Sequence, residues 1–253
     1  MRQKIHKLED YGTYRFSWKD WLEFCQFIII KTIIISYLFY DSYKAFIILI
    51  PLAFIEYKSM KERKKAYRKR RLTLQFKDMI ESLVASLNAG YSLEKAFSDT
   101  RRDLQLLYEK DEMIFKELDA IVAGLKVNTP LETLLKDFGV RSGVDDIKNF
   151  ANVVSVAKRS GGNLIRIIQK TVNSIGDKIA VEEEIKTLIA AKKLEQKIMM
   201  IMPYGIIFYL RFSNGDYLQV LYHNTLGVVL MTFFLIVIHL ADMWAKKIME
   251  IPV

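Results

Sequence analysis

The chain has 253 residues, 51% of them hydrophobic and 26% charged, with 38 Lys and Arg against 29 Asp and Glu. That is too apolar for a disordered tail and too charged for a transporter built wholly of membrane spans; it suits one modest soluble domain plus a few spans. The single cysteine, Cys25, excludes a disulfide framework and a cysteine-based zinc or iron–sulfur site, and three scattered histidines (His6, His223, His239) argue against a histidine-rich metal centre.

Residues 1–23 form a basic lead with five Lys and Arg in the first 20 positions. The first apolar region, 24–57, is interrupted by Lys31 and by Asp41-Ser42-Tyr43-Lys44. One straight helix of that length would reach about 50 Å, against a hydrocarbon core of about 30 Å. The pattern therefore predicts a hairpin of two spans, 24–40 and 43–57, turning at Asp41. Lys31 costs about 3 kcal/mol if central, while the ten Phe, Ile and Leu residues between Phe24 and Phe39 return about 0.3–0.6 kcal/mol each, so insertion wins narrowly. No small-residue cleavage site follows Ile35, which predicts an uncleaved anchor rather than a signal peptide.

The positive charge is local. Between Lys58 and Arg71 there are nine basic residues and one acidic one: Lys58, Lys61, Arg63, Lys64, Lys65, Arg68, Lys69, Arg70 and Arg71 against Glu62. From Leu72 to Lys197 the 19 basic and 19 acidic residues cancel. A nucleic-acid-binding face would spread Lys and Arg over a folded surface with aromatics between them. A basic cluster abutting an apolar run instead reads as the cytoplasmic edge of a membrane span, with lipid or partner binding as the second reading.

Residues 72–197 carry helical periodicity. Leu72, Phe76, Met79, Ile80, Leu83, Val84 and Leu87 follow steps of three and four, with Gln75, Lys77, Asp78, Glu81 and Ser82 opposite. Gly90 stands where a left-handed C-cap belongs, and Ser92 is placed to cap a helix using Leu93, Ala96, Phe97, Leu104 and Leu107. A third helix uses Ile114, Leu118, Ile121, Val122 and Leu125. Thr129-Pro130-Leu131-Glu132 reads as a capping box with proline at the first helical position. Ser142 and Asp145 read as a similar start before Ile147, Phe150, Ala151 and Val154. After the break at Gly161-Gly162-Asn163, a long helix on Leu164, Ile167, Ile168, Val172, Ile175 and Ile179 is predicted to continue into the third span. No stretch alternates with period two, so the domain is predicted as a bundle of about six helices.

A second hairpin is expected beyond it. Residues 198–212 form a short span containing Pro203 and Gly205, 213–225 a polar stretch, and 226–244 a span close to the ideal length of about 20 residues. Lys and Arg are abundant in 1–20 and 58–197 and recur at Lys246 and Lys247, whereas the outer loops hold one each, Lys44 and Arg211. The charge bias places both termini and the central domain in the cytoplasm. The predicted organisation is all-α: a cytoplasmic segment 1–23, a transmembrane hairpin 24–57, a cytoplasmic helical domain 58–197, a second hairpin 198–244 and a cytoplasmic tail 245–253.

Three stretches carry a family resemblance: Leu87-Asn-Ala-Gly-Tyr-Ser-Leu-Glu-Lys-Ala-Phe97; Ala157-Lys-Arg-Ser-Gly-Gly-Asn-Leu164; and Asp216-Tyr-Leu-Gln-Val-Leu-Tyr-His-Asn-Thr-Leu-Gly227 followed by a span and Lys246-Lys247-Ile248. The first resembles the L-x-x-G-x-S-L-x-x-A pattern of the type II secretion F domain and the second its A-x-x-x-G-G-x-L turn. The order and placement of all three resemble the TadB-like proteins of tight-adherence (Tad) pilus systems. The family-motif positions are Gly90, Ser92, Leu93, Ala96, Gly161, Gly162, Asn163, Leu164, Pro203 and Gly227.

The resemblance implies a multi-pass platform protein of the bacterial cytoplasmic membrane, beneath a pilus or secretion filament. It implies as partners a hexameric secretion ATPase, pilin, membrane lipids and a homologous, TadC-like platform subunit, because the chain carries one copy of a domain that longer members carry twice. An oligomer is implied, and no cofactor.

The residues themselves give enzyme chemistry little support. There is no Gly-rich phosphate loop ending in Lys-Ser/Thr, so this chain is not the ATPase. Gly161-Gly162 reads as a helix break, Asp145-Asp146 as helix-start partners, and His239 with Asp242 as an interfacial pair without a third ligand. Acidic clusters at 109–119 and Glu182-Glu183-Glu184 read first as solvated faces. The alternative makes Glu109, Asp111, Glu112, Glu117 and Asp119 a docking surface for a basic patch on the ATPase. The competing function is a small transporter or channel subunit whose Lys31, His239 and Asp242 line a path.

Overall fold

The computed structural model describes residues 10–14, 16–42, 45–159, 164–213, 216–222 and 224–249. Helices α1 (Trp18–Ile35), α2 (Ala45–Asn88), α3 (Leu93–Leu104), α4 (Met113–Lys126), α5 (Leu131–Ser142), α6 (Asp145–Arg159), α7 (Leu164–Ser213), α8 (Asp216–Tyr222) and α9 (Thr225–Met249) hold most of them, and a π-helical turn, Ser36–Tyr40, extends α1. No strand occurs among the described residues. The fold is all-α, as the periodicity implies. The chain divides into two compact units, Met1–Arg15 with Met60–Ala180 and Phe16–Ser59 with Val181–Val253.

The first unit is a helical bundle. The stripe on α2 is its spine: Leu72, Phe76, Met79, Ile80, Leu83 and Val84 are at most 4% exposed. Phe76 meets Phe138 of α5 and Phe150 of α6 edge-on, with ring centroids 6.0 and 5.3 Å apart. Ile114, Leu118 and Ile121 of α4 and Ile168, Val172 and Ile175 of α7 complete one continuous core. Tyr11, from the segment before α1, is also in it at 1% exposure, a residue the periodicity gave no reason to place there.

Helix ends follow local chemistry. Gly90 has φ +86°; its N–H donates to Leu87 O at 3.0 Å and that of Tyr91 to Ser86 O at 3.3 Å, the paired bonds of a Schellman C-cap. Ser92 Oγ accepts from Lys95 N at 3.4 Å and starts α3. Three expectations need correction. Pro130 is itself the N-cap of α5, extended at ψ 133°, one residue before the position expected. Ser142 closes α5 instead of opening α6; its hydroxyl donates to Gly139 O at 2.9 Å and accepts from Val144 N at 3.2 Å. Leu107 lies past the end of α3 and is 67% exposed, because that helix stops at Leu104.

The predicted cytoplasmic domain ran to Lys197, whereas the bundle ends at Ala180. Beyond it Val181, Leu188 and Leu194 are 48%, 71% and 60% exposed and add nothing to the bundle core.

In the second unit, Trp18–Tyr40 and Thr225–Met249 are the two helices long and apolar enough to cross a membrane among the described residues. Most of their surface is uncovered, unlike that of a core helix in a water-soluble domain. The described part of the predicted span at 43–57, from Ala45, lies within α2 and the span at 198–212 within α7; both helices run on into charged sequence, and neither segment qualifies by itself among the described residues. Asp41, at φ +45°, closes the π-helical turn as the expected turn residue. The polar stretch 213–225 is not a plain loop: it contains α8, whose Leu218 and Tyr222 are buried with Leu38, Phe39, Met231 and Leu235. Tyr222 Oη donates to Leu38 O at 2.6 Å. Gly227 gains a physical reason here, since a Cβ there would run into the backbone of Leu221.

Close helix packing generates one prediction. A Cβ at Gly139 would stand 3.0 Å from Lys148 Cα, a backbone atom that cannot step aside. Gly139→Ala should lose about 1–3 kcal/mol through forced separation of α5 and α6, read as a lowered midpoint in chemical denaturation with helix content retained.

Candidate functional site

The ionic framework of the bundle is built around α4. Glu117, 0% exposed, accepts from both terminal nitrogens of Arg141 at 2.7 Å and from Tyr11 Oη at 2.9 Å. Arg141 also donates from Nε to Asp137 at 2.7 Å, and its carbonyl accepts from Tyr11 N at 2.9 Å. Burial pulls the Arg141 pKa down, but the hydrogen bonds to Glu117 and Asp137 outweigh it and hold it above the ordinary arginine value. The N-terminal segment, α4 and α5 thus share one charge-assisted knot.

Glu112, just before α4, makes the corresponding link to α2. It pairs with Arg71 and accepts from Gln75 Nε2 at 2.6 Å. Gln75 is therefore fully buried rather than on the polar face, and its Oε1 has no hydrogen-bond partner among the described residues. Asp119 pairs with Arg101. These contacts overturn the docking role expected of Glu112 and Glu117. Both are interior carboxylates whose charge is spent on this bundle, and no partner can reach Glu117. Of the five acidic residues singled out, only Glu109 and Asp111 are exposed with no hydrogen bond or ion pair on their side chains among the described residues.

The basic cluster divides in the same way. Arg68 stacks on the Tyr11 ring at 4.8 Å and donates from Nε to Met113 Sδ at 3.4 Å; Lys69 donates to Gly143 O at 2.5 Å; Arg71 holds Glu112. These three brace the bundle. Arg63 and Lys64, together with Arg68 and Arg71, line a cleft of about 860 Å³ between α2 and the connection from α3 to α4. Tyr14, Tyr67, Glu109 and Asp111 lie on its walls, and Glu112 and Met113 complete the lining. Lys61, Lys65 and Arg70 are partly exposed on α2 outside it. The sequence showed both charge clusters, but no spacing rule joins residues some 45 positions apart into one cleft.

The motif residues are structural where they are described. Gly90 and Ser92 form the turn between α2 and α3, Ala96 is fully buried and Leu93 packs against the core. Pro203 lies inside α7 and Gly227 at the α8–α9 contact. Gly161, Gly162 and Asn163 lie outside the described residues; Leu164 begins α7, and its side chain lies outside them too. Asp146, at the start of α6, pairs with Lys178 of α7 at 3.3 Å. Among the described residues no group of three or more His, Cys, Asp or Glu is placed to hold a metal ion.

In the second unit Lys31 finds a partner the sequence left unassigned. Its ammonium pairs with Glu56 at 2.5 Å, and His239 and Lys246 lie within electrostatic reach of that carboxylate. Asp242 pairs with Lys246 one turn on, and His239 Nε2 is buried without a hydrogen-bond partner among the described residues. Lys31, His239 and Asp242 thus belong to one charged neighbourhood, in which Lys31 and Asp242 are neutralised by pairing. Phe16, Trp21, Phe24 and Tyr57 form an aromatic cluster, the rings of Phe16 and Tyr57 stacked at 4.9 Å; of these, Trp21 and Tyr57 are the amphipathic types enriched at membrane–water boundaries.

Two predictions follow from these pairs. Arg141→Met alone strands the Glu117 carboxylate and should cost about 3–5 kcal/mol, whereas adding Glu117→Met should recover much of the loss; equal melting of the single and double variants would contradict a buried pair. Glu56→Ala should lower the membrane-inserted fraction of the first helix by leaving Lys31 unpaired, and Lys31→Leu in the same chain should restore it, read by protease protection in isolated membranes. No protein-family model, curated protein or solved structure matches the chain.

Proposed function

We propose that this chain is a multi-pass, non-enzymatic platform protein of a bacterial cytoplasmic membrane. In this reading it couples a hexameric secretion ATPase to the extraction of pilin and the growth of a filament, as the type II secretion F-domain and TadB-like proteins it resembles do. The observation that carries the reading is the continuity of two helices. The 44 residues of α2 and the 50 of α7 each contribute to both compact units, and α7 passes residues 193–197 without a break. An uninterrupted hydrogen-bonded helix transmits axial and rotational displacement along its length, because bending it breaks backbone bonds. A bundle with a packed core, joined by such helices to segments apolar enough for a bilayer, is the architecture a force-transmitting platform needs.

The homologous TadC-like subunit, pilin and lipids remain partners in this proposal. The ATPase contact is not assigned to Glu112 or Glu117, which face inward. The transporter reading is weaker, because Lys31 and Asp242 are paired rather than poised along a path.

Deleting the gene should leave pilin made and processed but absent from the cell surface, detected by probing pilin separately inside and outside the cells. Normal surface pilin with an altered solute flux would instead favour the transporter. Complementation with Ala191→Pro tests the coupling directly. A proline there costs about 3 kcal/mol of local helix and interrupts α7 outside both cores, so the protein should insert normally yet fail to restore surface pilin.

A further inference from the structure

The cleft between α2 and the α3–α4 connection has walls of opposite sign. Arg63 and Lys64 stand on the α2 wall with Arg68, whose guanidinium is stacked on Tyr11, and Glu109 and Asp111 stand on the other. Arg71 and Glu112, also in the lining, pair with each other. The side chains of Arg63, Glu109 and Asp111 are exposed and carry no hydrogen bond or ion pair among the described residues, so both signs of charge are available at the rim.

Such a site discriminates by charge pattern. A simple anion attracted to Arg63 and Lys64 meets two carboxylates across the cleft, and a simple cation meets the reverse. A ligand carrying both charges a few bonds apart satisfies both walls. An arginine fork suits phosphate oxygens, and carboxylates suit a primary ammonium, whose three N–H donors each take an acceptor. A quaternary ammonium offers no such donors. The volume, about 860 Å³, lies within the range of small-molecule sites.

We propose that this cleft binds a phosphoethanolamine group: the phosphodiester on Arg63 and Lys64, the ammonium on Glu109 and Asp111, with Tyr67 beside them. The group has two sources. A phosphatidylethanolamine headgroup is favoured by the sequence, because Arg63 follows the apolar run ending at Tyr57 by six residues of the same helix. Soluble glycerophosphoethanolamine carries the same chemistry. The proposal does not depend on the platform reading.

The test uses the full-length protein in nanodiscs of phosphatidylcholine alone, or with phosphatidylethanolamine or phosphatidylglycerol added, and follows amide hydrogen exchange of the 109–113 segment. Phosphatidylethanolamine should slow exchange there, and phosphatidylglycerol should not. Glu109→Gln with Asp111→Asn should weaken the effect by roughly tenfold in lipid concentration, as should Arg63→Ala, while Lys61→Ala outside the cleft leaves it unchanged. All of these side chains are at the surface, and unchanged thermal melting separates lost binding from lost fold. Glycerophosphoethanolamine added to phosphatidylcholine discs distinguishes the sources: protection by it alone assigns the soluble compound, and protection by the lipid alone assigns the headgroup. Equal protection by phosphatidylglycerol would reduce the site to a nonspecific basic patch, and protection by neither phosphoethanolamine source would overturn the proposal.

Discussion

Glu117 is the constraint on which the bundle depends. A carboxylate with no exposed surface must be matched by a cation and hydrogen-bond donors, or the helices around it gain more by staying apart. Arg141 supplies a two-pronged match from the end of α5, and Tyr11 adds a donor from the chain before α1. Because these groups come from three separate stretches, satisfying one charge sets the register of α4 against α5 and ties down the N-terminal segment. Glu112 repeats the device toward α2 through Arg71 and Gln75. The zero net charge between Leu72 and Lys197 is thus partly an internal matching of specific pairs, on top of ordinary surface balance.

The same rule operates in the second unit, where the surrounding medium makes it stricter. Lys31 interrupts an apolar helix and is costly alone, but Glu56 lies opposite and converts a charge into a dipole. In the proposed membrane reading, Trp21 and Tyr57 of the aromatic group and the basic residues that follow Tyr57 in sequence are the residue types that hold a helix at a membrane boundary. Charge pairing within the apolar unit and continuity of α2 and α7 are compatible demands, since both are met by helices whose backbone bonds are closed internally.

Function in this reading comes from what those demands leave over. Several of the ionic groups singled out in the sequence hold the bundle together: Glu112 and Glu117 are buried, and Arg68, Lys69 and Arg71 brace it from the surface. Among the outward charges, Arg63, Glu109 and Asp111 come together at the rim of one cleft. Recognition is therefore sought at that rim, and force transmission in the two long helices.

Much of the fold was legible in residue order alone, because helices are written locally. The α2 stripe, the Gly90–Ser92 turn, a turn at Asp41 and the unbroken run through residues 193–197 all follow from spacing and capping within a few residues, whereas the left-handed backbone of Asp41 is seen only in the structure. Boundaries slipped by a residue at Pro130 and were reassigned at Ser142, since several groups there compete for the same backbone bonds. Composition also determined that two segments are apolar enough for a bilayer. What only the tertiary structure decided is which charges are interior. Whether Glu117 solvates a surface or anchors a core depends on Arg141 and Tyr11 arriving from elsewhere in the chain, and Lys31 likewise depends on Glu56. A helical pattern specifies a face, but electrostatic fate depends on distance in space, which local sequence does not encode.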